Sequence, residues 1–245
     1  MSRYSKGTVS LERALSKLGI ASRTEARRLI LGRHVMVDGR PVRDPLFAVN
    51  PERARIEVDG QRVAKAKPLV LALHKPVGVV TTRSDELGRR TVYDLLPPEL
   101  PFVGPVGRLD FESSGLLLLT NDSRLADRIA SPGGCEKVYE VTIDQPFSAA
   151  AVAAFRAGLQ LEDGPPLAPV EVVVDPGDPT HARFTLHEGR NRQIRRMCGA
   201  FGWAVSALHR TRIGPITLGA LASGASRPLT AAEDAALRAA VATRP

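Results

Sequence analysis

Apolar residues at helical intervals mark the first part of the chain. In two neighbouring segments they recur three or four residues apart: Leu11, Leu15, Leu18, Ala26, Leu29 and Ile30. This spacing predicts two short helices, which Gly19 separates. Ser22 followed by Glu25 is typical of a capping box, in which each side chain satisfies a free backbone amide of the other residue. We therefore place the start of the second helix at this serine.

Two short apolar strands follow, and a turn comes after each. Residues 35–37 precede Asp38-Gly39, and residues 56–58 precede Asp59-Gly60. Asp-Gly between or after apolar residues is typical of a tight hairpin turn, because both residues tolerate a positive φ. The first 66 residues thus predict a small module of two helices and a few strands.

A second domain is predicted after a short linker at residues 65–68, where lysines favour solvent and the residue before Pro68 is extended. Apolar runs predict strands at residues 69–73, 115–120, 138–143, 170–174 and 182–186. Helical periodicity predicts helices at residues 123–129, 149–157, 190–201 and 230–241. Because strands and helices mix without a strict βα repeat, we expect an α+β fold with a mixed, mainly antiparallel sheet. The predicted domains are residues 9–66 and 67–238.

Positive charge is concentrated in the first quarter of the chain. Residues 1–66 hold fourteen Lys and Arg against seven Asp and Glu, so they contribute +7 to the net charge of +8. A basic segment of this kind favours a polyanionic partner such as nucleic acid. On the second predicted helix, Arg23, Arg27 and Arg28 share the exposed side, where phosphate oxygens could contact them. A solvated helix face is the alternative explanation.

Several classes of protein do not fit the sequence. Its longest apolar stretches are far shorter than the roughly 18 residues of a membrane helix, and the polar N-terminus lacks the apolar core of a secretory signal. We therefore expect no membrane contact and a cytoplasmic location. Cys135 and Cys198 form no CxxC pair, and the five histidines form no ligand cluster, so we expect no disulfide and no metal. No phosphate-binding or dinucleotide-binding glycine motif occurs, so we expect no cofactor.

A glycine-rich loop is the first candidate for chemistry. Residues 104–115 read GPVGRLDFESSG and run directly into an apolar strand. A loop that is anchored in this way can hold Arg108 and Asp110 rigidly in a cleft. An aspartate among glycines is also a common turn or cap residue, so the pattern alone leaves both explanations open.

A basic segment is the second candidate. Residues 187–197 read HEGRNRQIRRM, with arginines at positions 190, 192, 195 and 196 and apolar residues at helical spacing. A carboxylate that must stay ionised in a desolvated site needs a partner such as a guanidinium group. Phosphate binding or a solvated face is the alternative explanation.

The N-terminal segment resembles the S4 RNA-binding domain. The resemblance lies in a leucine helix, a small-residue turn with Ser-Arg, a second helix with Glu-Ala and a strand that ends in Asp-Gly, in the stretch LGIASRTEARRLILGRHVMVDGR. Two residues, Arg33 and His34, follow the glycine where the pattern has one, which is a small departure. The resemblance implies binding to structured RNA.

Motifs along the rest of the chain resemble those of the pseudouridine synthases. They are, in order, HKPVGVVTT, GRLDFESSGLLLLTND, EKVYEV, EGRNRQIRRM and the strand LHRTRIGPITLG. Because they stand in the family's order, the chain is identified as a member of the branch that modifies small- and large-subunit ribosomal RNA. Glu112 stands where an Asp or Asn is more common.

This resemblance implies roles for individual residues. Asp110 is expected to be the catalytic nucleophile, with Arg195 as its salt-bridge partner. Tyr139 is expected to pack on the target base and to assist proton removal from C5, and Ile213 to flank the pocket as an apolar wall. Arg108 is expected to support the loop. The arginine motif is expected to bind substrate through Arg190, Asn191, Arg192 and Gln193.

The implied reaction is the isomerisation of one uridine in ribosomal RNA or a pre-ribosomal particle, by a monomer and without a cofactor. The stretch at residues 84–97, SDELGRRTVYDLLP, favours large-subunit 23S RNA. The main alternative is a non-catalytic RNA-binding or ribosome-assembly protein, because S4 domains also occur without catalysis. Intact Asp110, Tyr139 and Arg195 argue against it. A hydrolase that uses Asp110 and Glu112 as a carboxylate pair is a further alternative, but it leaves the arginine motif without a role.

Overall fold

The computed structural model describes residues 4–5, 7–64, 66–161 and 164–242, so Lys65 of the predicted linker lies outside the described residues. The chain divides into two compact units. The first comprises Met1–Leu69, Pro97–Gly104 and Thr120–Ser123. The second comprises Val70–Leu96, Pro105–Leu119 and Arg124–Pro245.

The first unit contains the two predicted helices and several short strands. Helix α1 spans Leu11–Lys17, and helix α2 spans Arg23–Leu31. The strands are β1 Val9–Ser10, β2 Val35–Val37, β3 Arg40–Pro41, β4 Ala48–Val49, β5 Ile56–Val58 and β6 Gln61–Arg62. β1 pairs with β4, and the other strands form an antiparallel sheet in the order β3-β2-β5-β6. The helices bury their predicted apolar residues against the strands, with Leu11, Leu15 and Ile30 fully buried.

Local sequence signals explain where these elements begin and turn. The Ser22 hydroxyl accepts a hydrogen bond from the Glu25 amide at 3.1 Å, as the predicted cap requires. The second half of the predicted capping box is wrong, because the Glu25 carboxylate pairs with Arg28 at 3.7 Å. At both predicted turns the aspartate and the glycine have a positive φ, which confirms the tight turns after β2 and β5.

The second unit is built on a large sheet with helices. Its strands are β7 Val70–Lys75, β8 Gly104–Pro105, β9 Ser114–Thr120, β10 Lys137–Ile143, β11 Glu171–Val174, β12 His181–Leu186, β13 Val205–Ile213, β14 Ile216–Thr217 and β15 Ser226–Pro228. Its helices are α3 Ser123–Ala130, α4 Ala149–Ala157, α5 Gln193–Gly199 and α6 Ala231–Ala242, with a 3-10 helix at Val92–Leu95.

The described residues form this sheet in the order β11-β12-β10-β13-β9-β7-β15, with β14 beside β13 and β8 beside β9. β10 is antiparallel to both β12 and β13, whereas β9 runs parallel to β13. The predicted α+β fold with a mixed, mainly antiparallel sheet is confirmed. One apolar core contains Phe155, Phe184 and Met197, and a second contains Leu116 and Leu237.

Two strands approach each other closely at Gly115, which pairs with Arg210. Gly115 has a φ of +108°, and a Cβ atom there would lie 2.2 Å from the Arg210 carbonyl oxygen. Any other residue would push the strands apart, so the glycine at the end of the predicted catalytic loop sets the distance between β9 and β13.

Helix α5 begins later than its periodicity predicts. Residues 190–192 form a turn, and Arg192 has the left-handed φ of 48°, so the helix starts only at Gln193. This backbone conformation is costly for a residue with a side chain, and such strain often occurs at functional sites. Among the described residues, no helix combines the length and the apolar character that a membrane crossing would need.

Candidate functional site

The loop that carries Asp110 is held in place by backbone hydrogen bonds. The Thr81 hydroxyl donates to the Leu109 carbonyl at 2.8 Å and accepts from the Leu109 amide at 3.3 Å. The Ser113 amide donates to the Asp110 carbonyl at 3.1 Å, which closes a tight turn directly before β9. The Asp110 side chain remains 30% exposed. The loop therefore holds a fixed backbone with an accessible carboxylate.

Asp110 faces a cavity of about 270 Å³, close to the lower end of the range for small-molecule sites. Leu186, Ile194 and Leu208 supply apolar walls, and Tyr139 supplies an aromatic one. The structure brings most of the predicted site residues to this cavity: Arg108, Asp110, Tyr139, Arg190, Asn191, Arg192 and Gln193. The two segments that the sequence singled out thus meet at one place.

Asp110 forms its ion pair with Arg192, and not with Arg195 as expected. Arg192 Nη1 lies 3.7 Å from Asp110 Oδ2, and Arg192 Nη2 lies 3.3 Å from Glu112 Oε2. The guanidinium of Arg195 donates to the carbonyl oxygens of Val205 at 2.9 Å and Glu112 at 3.3 Å. These bonds hold Arg195 against the backbone of the Asp110 loop. The strained turn at Arg192 places the Arg192 guanidinium, instead, beside the Asp110 carboxylate.

The expected position of Ile213 is also wrong. Ile213 is 1% exposed and lies in the apolar core with Leu116 and Ile129, and it is absent from the cavity wall. At the end of β13 it pairs with Ile216 across a short hairpin, so its side chain has no surface to offer a base. On the same strand, Leu208 takes the predicted place at the cavity.

Two residues of the arginine motif are committed to other protein groups. The Arg190 guanidinium donates to Glu188 and to the carbonyl oxygens of Pro165 and Pro166. Gln193 is buried, accepts from the Arg190 amide and donates to Glu188. They shape the turn, which leaves Asn191 and Arg192 exposed at the cavity as the members of the motif that can bind substrate.

Sequence patterns did not single out three buried cations near this loop: Lys75, Lys137 and Arg210. The Lys75 ammonium is fully buried and donates to the carbonyl oxygens of Pro76 at 2.9 Å and Ser113 at 2.7 Å. Burial lowers the pKa of Lys75 to about 8, although the negative charge of Asp110 opposes this shift. Burial also lowers the pKa of Lys137, and the nearby Arg210 adds to the effect. A charged residue at the end of an apolar run could have identified Lys75. The other polar residues of β10 and β13 conceal Lys137 and Arg210.

The predicted RNA-binding arginines lie in the first unit as expected. Arg23, Arg27 and Arg28 are exposed on α2, and Arg28 also pairs with Glu25. Within the described ranges, no three His, Cys, Asp or Glu side chains come close enough to hold a metal ion. The chemistry that the cavity offers is therefore that of a carboxylate beside guanidinium groups, a phenol and apolar walls.

Family models match both units. A model described as RNA pseudouridylate synthase matches residues 69–200, and a model described as S4 domain matches residues 10–54. The first match covers more than half of the chain.

Curated proteins and a solved structure resemble the chain along most of its length. A protein of Mycobacterium tuberculosis (strain ATCC 25618 / H37Rv), named an uncharacterized RNA pseudouridine synthase, is 41% identical over 95% of this chain and 93% of its own. The ribosomal small subunit pseudouridine synthase A of Pseudomonas aeruginosa is 42% identical over 91% of this chain and 97% of its own. A crystal structure of pseudouridylate synthase superposes with a TM-score of 0.69 at 30% identity, covering 94% of this chain and 99% of the other.

Proposed function

Because this chain belongs to the RNA pseudouridylate synthase family and is an RNA pseudouridine synthase, we propose that it isomerises a uridine of ribosomal RNA with Asp110 as the catalytic carboxylate. The observation that carries the proposal is the position of Asp110. It stands on a rigid loop, is accessible, and faces a cavity that also contains Tyr139 and Arg192. Family membership removes the alternative of a purely RNA-binding protein.

The reaction defines what the cavity must do. The bond between N1 of uracil and C1′ of ribose breaks, the base rotates, and C5 joins C1′ with loss of the C5 proton. A carboxylate next to C1′ can assist departure of the base, either by attack on C1′ or by removal of a ribose proton. The detached base must stay in place and away from water, which the walls formed by Leu186, Ile194 and Leu208 favour.

Tyr139 and the exposed polar residues support substrate binding in this proposal. A uridine must leave its helix to reach Asp110, and a tyrosine ring can replace the lost base stacking. Arg108, Asn191 and Arg192 are exposed at the cavity and can hold the flanking phosphates. Arg195 acts in a different way, because it fixes the Glu112 backbone two residues after Asp110.

The first unit is proposed to supply RNA affinity and target choice. The S4 match lies in this unit, at residues 10–54, and α2 presents three exposed arginines on a segment of net charge +7. A protein that neutralises phosphates with such side chains gains affinity that depends strongly on salt. We propose a cytoplasmic monomer that acts on ribosomal RNA or on a pre-ribosomal particle.

Large-subunit RNA is the proposed target. The stretch at residues 84–97 favours it, whereas the relative from Pseudomonas aeruginosa is named for the small subunit. Pseudouridine mapping of both ribosomal RNAs, in cells that carry the parent protein, Asp110→Asn or no copy, tests both parts of the proposal. We expect one large-subunit position that is modified only with the parent protein. A small-subunit position would correct the target, and modification with Asp110→Asn would remove the mechanism.

A further inference from the structure

Arg210 is a buried cation in direct contact with Tyr139. It is 2% exposed and pairs with Tyr139 across β10 and β13. Its Nη1 donates to the Tyr139 hydroxyl oxygen at 3.3 Å, its Cζ lies 5.8 Å from the centre of the tyrosine ring, and its Nε donates to the Leu116 carbonyl at 2.7 Å. Its Nη2 is buried and has no hydrogen-bond partner among the described residues.

Burial at this position is energetically unfavourable for a guanidinium group. Of the described carboxylates, none forms an ion pair with Arg210, and its positive charge adds to the effect of burial in lowering the pKa of Lys75 and Lys137. A buried charge without a counterion is strongly destabilising relative to an apolar side chain. Stability therefore does not explain why an arginine occupies this position. The polar side-chain group that Arg210 contacts is the hydroxyl of Tyr139, which lines the cavity.

The contact decides how Tyr139 can act in the cavity. A phenol has one O–H donor and accepts through its lone pairs. Because Arg210 donates to that oxygen, the O–H of Tyr139 is left to point towards another acceptor, and negative charge that develops on the oxygen has a cation beside it. The close approach at Gly115 fixes the backbone of Arg210, so this arrangement is set by the sheet.

We propose that Arg210 is a positioning residue that acts through the Tyr139 hydroxyl in the rotation and deprotonation of the base. This inference rests on the proposed function. The Tyr139 oxygen accepts the proton from C5 while its own O–H proton passes to a water molecule. The electron pair of the C5–H bond returns to the ring, and water delivers one proton to N1. Arg210 holds the oxygen in place and stabilises the negative charge that develops on it during this exchange.

A double-mutant cycle under single-turnover conditions tests this role. We expect Arg210→Gln to lower the rate at saturating protein by about tenfold or more, with RNA affinity changed by less than about twofold. In a Tyr139→Phe background, which keeps the ring and removes the hydroxyl, the same substitution should change the rate by less than about twofold. Arg210→Lys keeps the charge and should recover part of the rate.

Arg212→Gln is the matched control, because Arg212 lies two residues along the same strand and pairs with Glu136. Its rate should equal that of the parent. Equal losses from Arg210→Gln in both backgrounds, or a loss that appears only in affinity, would overturn the proposal. If Arg210→Gln does not fold, Arg210→Lys carries the same cycle. Failure of the proposed function would show separately, as turnover by Asp110→Asn.

Discussion

The two units use arginine and lysine in opposite ways. In the first unit, Arg23, Arg27 and Arg28 are exposed on one helix, where a mobile cation can meet a phosphate at little desolvation cost. In the second unit, Lys75 and Arg210 are buried around the loop that carries the accessible carboxylate of Asp110. The second unit, which is nearly neutral overall, thus contains the buried charges whose desolvation is unfavourable. In the proposed function, net positive charge marks the unit that binds RNA, and buried charge marks the unit that carries out the reaction.

The substitution Asp110→Asn tests the catalytic role of the second unit and should have the largest effect. The substitution keeps the shape of the side chain and removes its charge and nucleophilicity, so we expect the rate to fall by about a thousandfold or more. RNA affinity should change by less than about threefold, because in the proposed function the exposed arginines of α2 supply it. Pseudouridine formation and filter binding on the same RNA measure both effects. Residual turnover within tenfold of the parent protein would refute the catalytic role.

Arg195→Lys should have the next largest effect. The planar fork of Arg195 binds the carbonyl oxygens of Val205 and Glu112 together, and an ammonium group cannot reproduce that geometry. We expect the saturating rate to fall by about tenfold to a hundredfold. Arg183→Lys, an exposed arginine on β12, serves as control. A full rate for Arg195→Lys would show that the position of the Glu112 backbone does not matter.

The exposed arginines can be tested together by substituting Arg23, Arg27 and Arg28 with Gln, which keeps helix propensity. We expect weaker RNA binding and a slope of log affinity against log salt that is smaller in magnitude by about two to three, since each of three lost phosphate contacts removes a little under one. Arg55→Gln removes one exposed arginine that pairs with Glu57 in the same unit, and it serves as a control. An unchanged slope in the triple variant would mean that α2 does not contact phosphate.

The smallest expected effect concerns pH. Lys75 has a pKa of about 8 in the folded protein against 10.5 for an unperturbed lysine, so above pH 8 the unfolded chain binds more protons than the folded one. Its contribution to the free energy of unfolding should therefore rise with pH, by about 1 kcal/mol per pH unit just above that pKa. Urea denaturation of the parent and Lys75→Met at two pH values measures the difference. A constant difference would show that Lys75 does not titrate in this range.

Elements with regular patterns were predictable from the sequence. Helix α4 has the predicted bounds, and β9 and β10 each differ from prediction by one residue at their start. The long β13 was expected only from the resemblance, because its alternating charged residues hide its apolar face. The late start of α5 could not be predicted, since it depends on a left-handed Arg192 that tertiary contacts hold in place.

The sequence predicted which segments form the candidate site, but it did not predict all of the contacts between their side chains. The motifs brought Asp110, Tyr139 and the arginine turn to one cavity. Sequence spacing could not decide which guanidinium meets Asp110, because side-chain direction depends on backbone torsions that only the folded turn defines. Nor could it show that Ile213 is enclosed in the core, which depends on the packing of β13 against β9 and α3.

In the proposed function, the first unit supplies RNA binding and the second unit supplies the chemistry. The most direct test measures the single-turnover rate of pseudouridine formation against protein concentration for the parent protein and the α2 triple variant. We expect the triple variant to need more protein for half-maximal rate and to reach the parent's maximal rate at saturation. A lowered maximal rate with an unchanged half-maximal protein concentration would show that the two roles are not divided in this way.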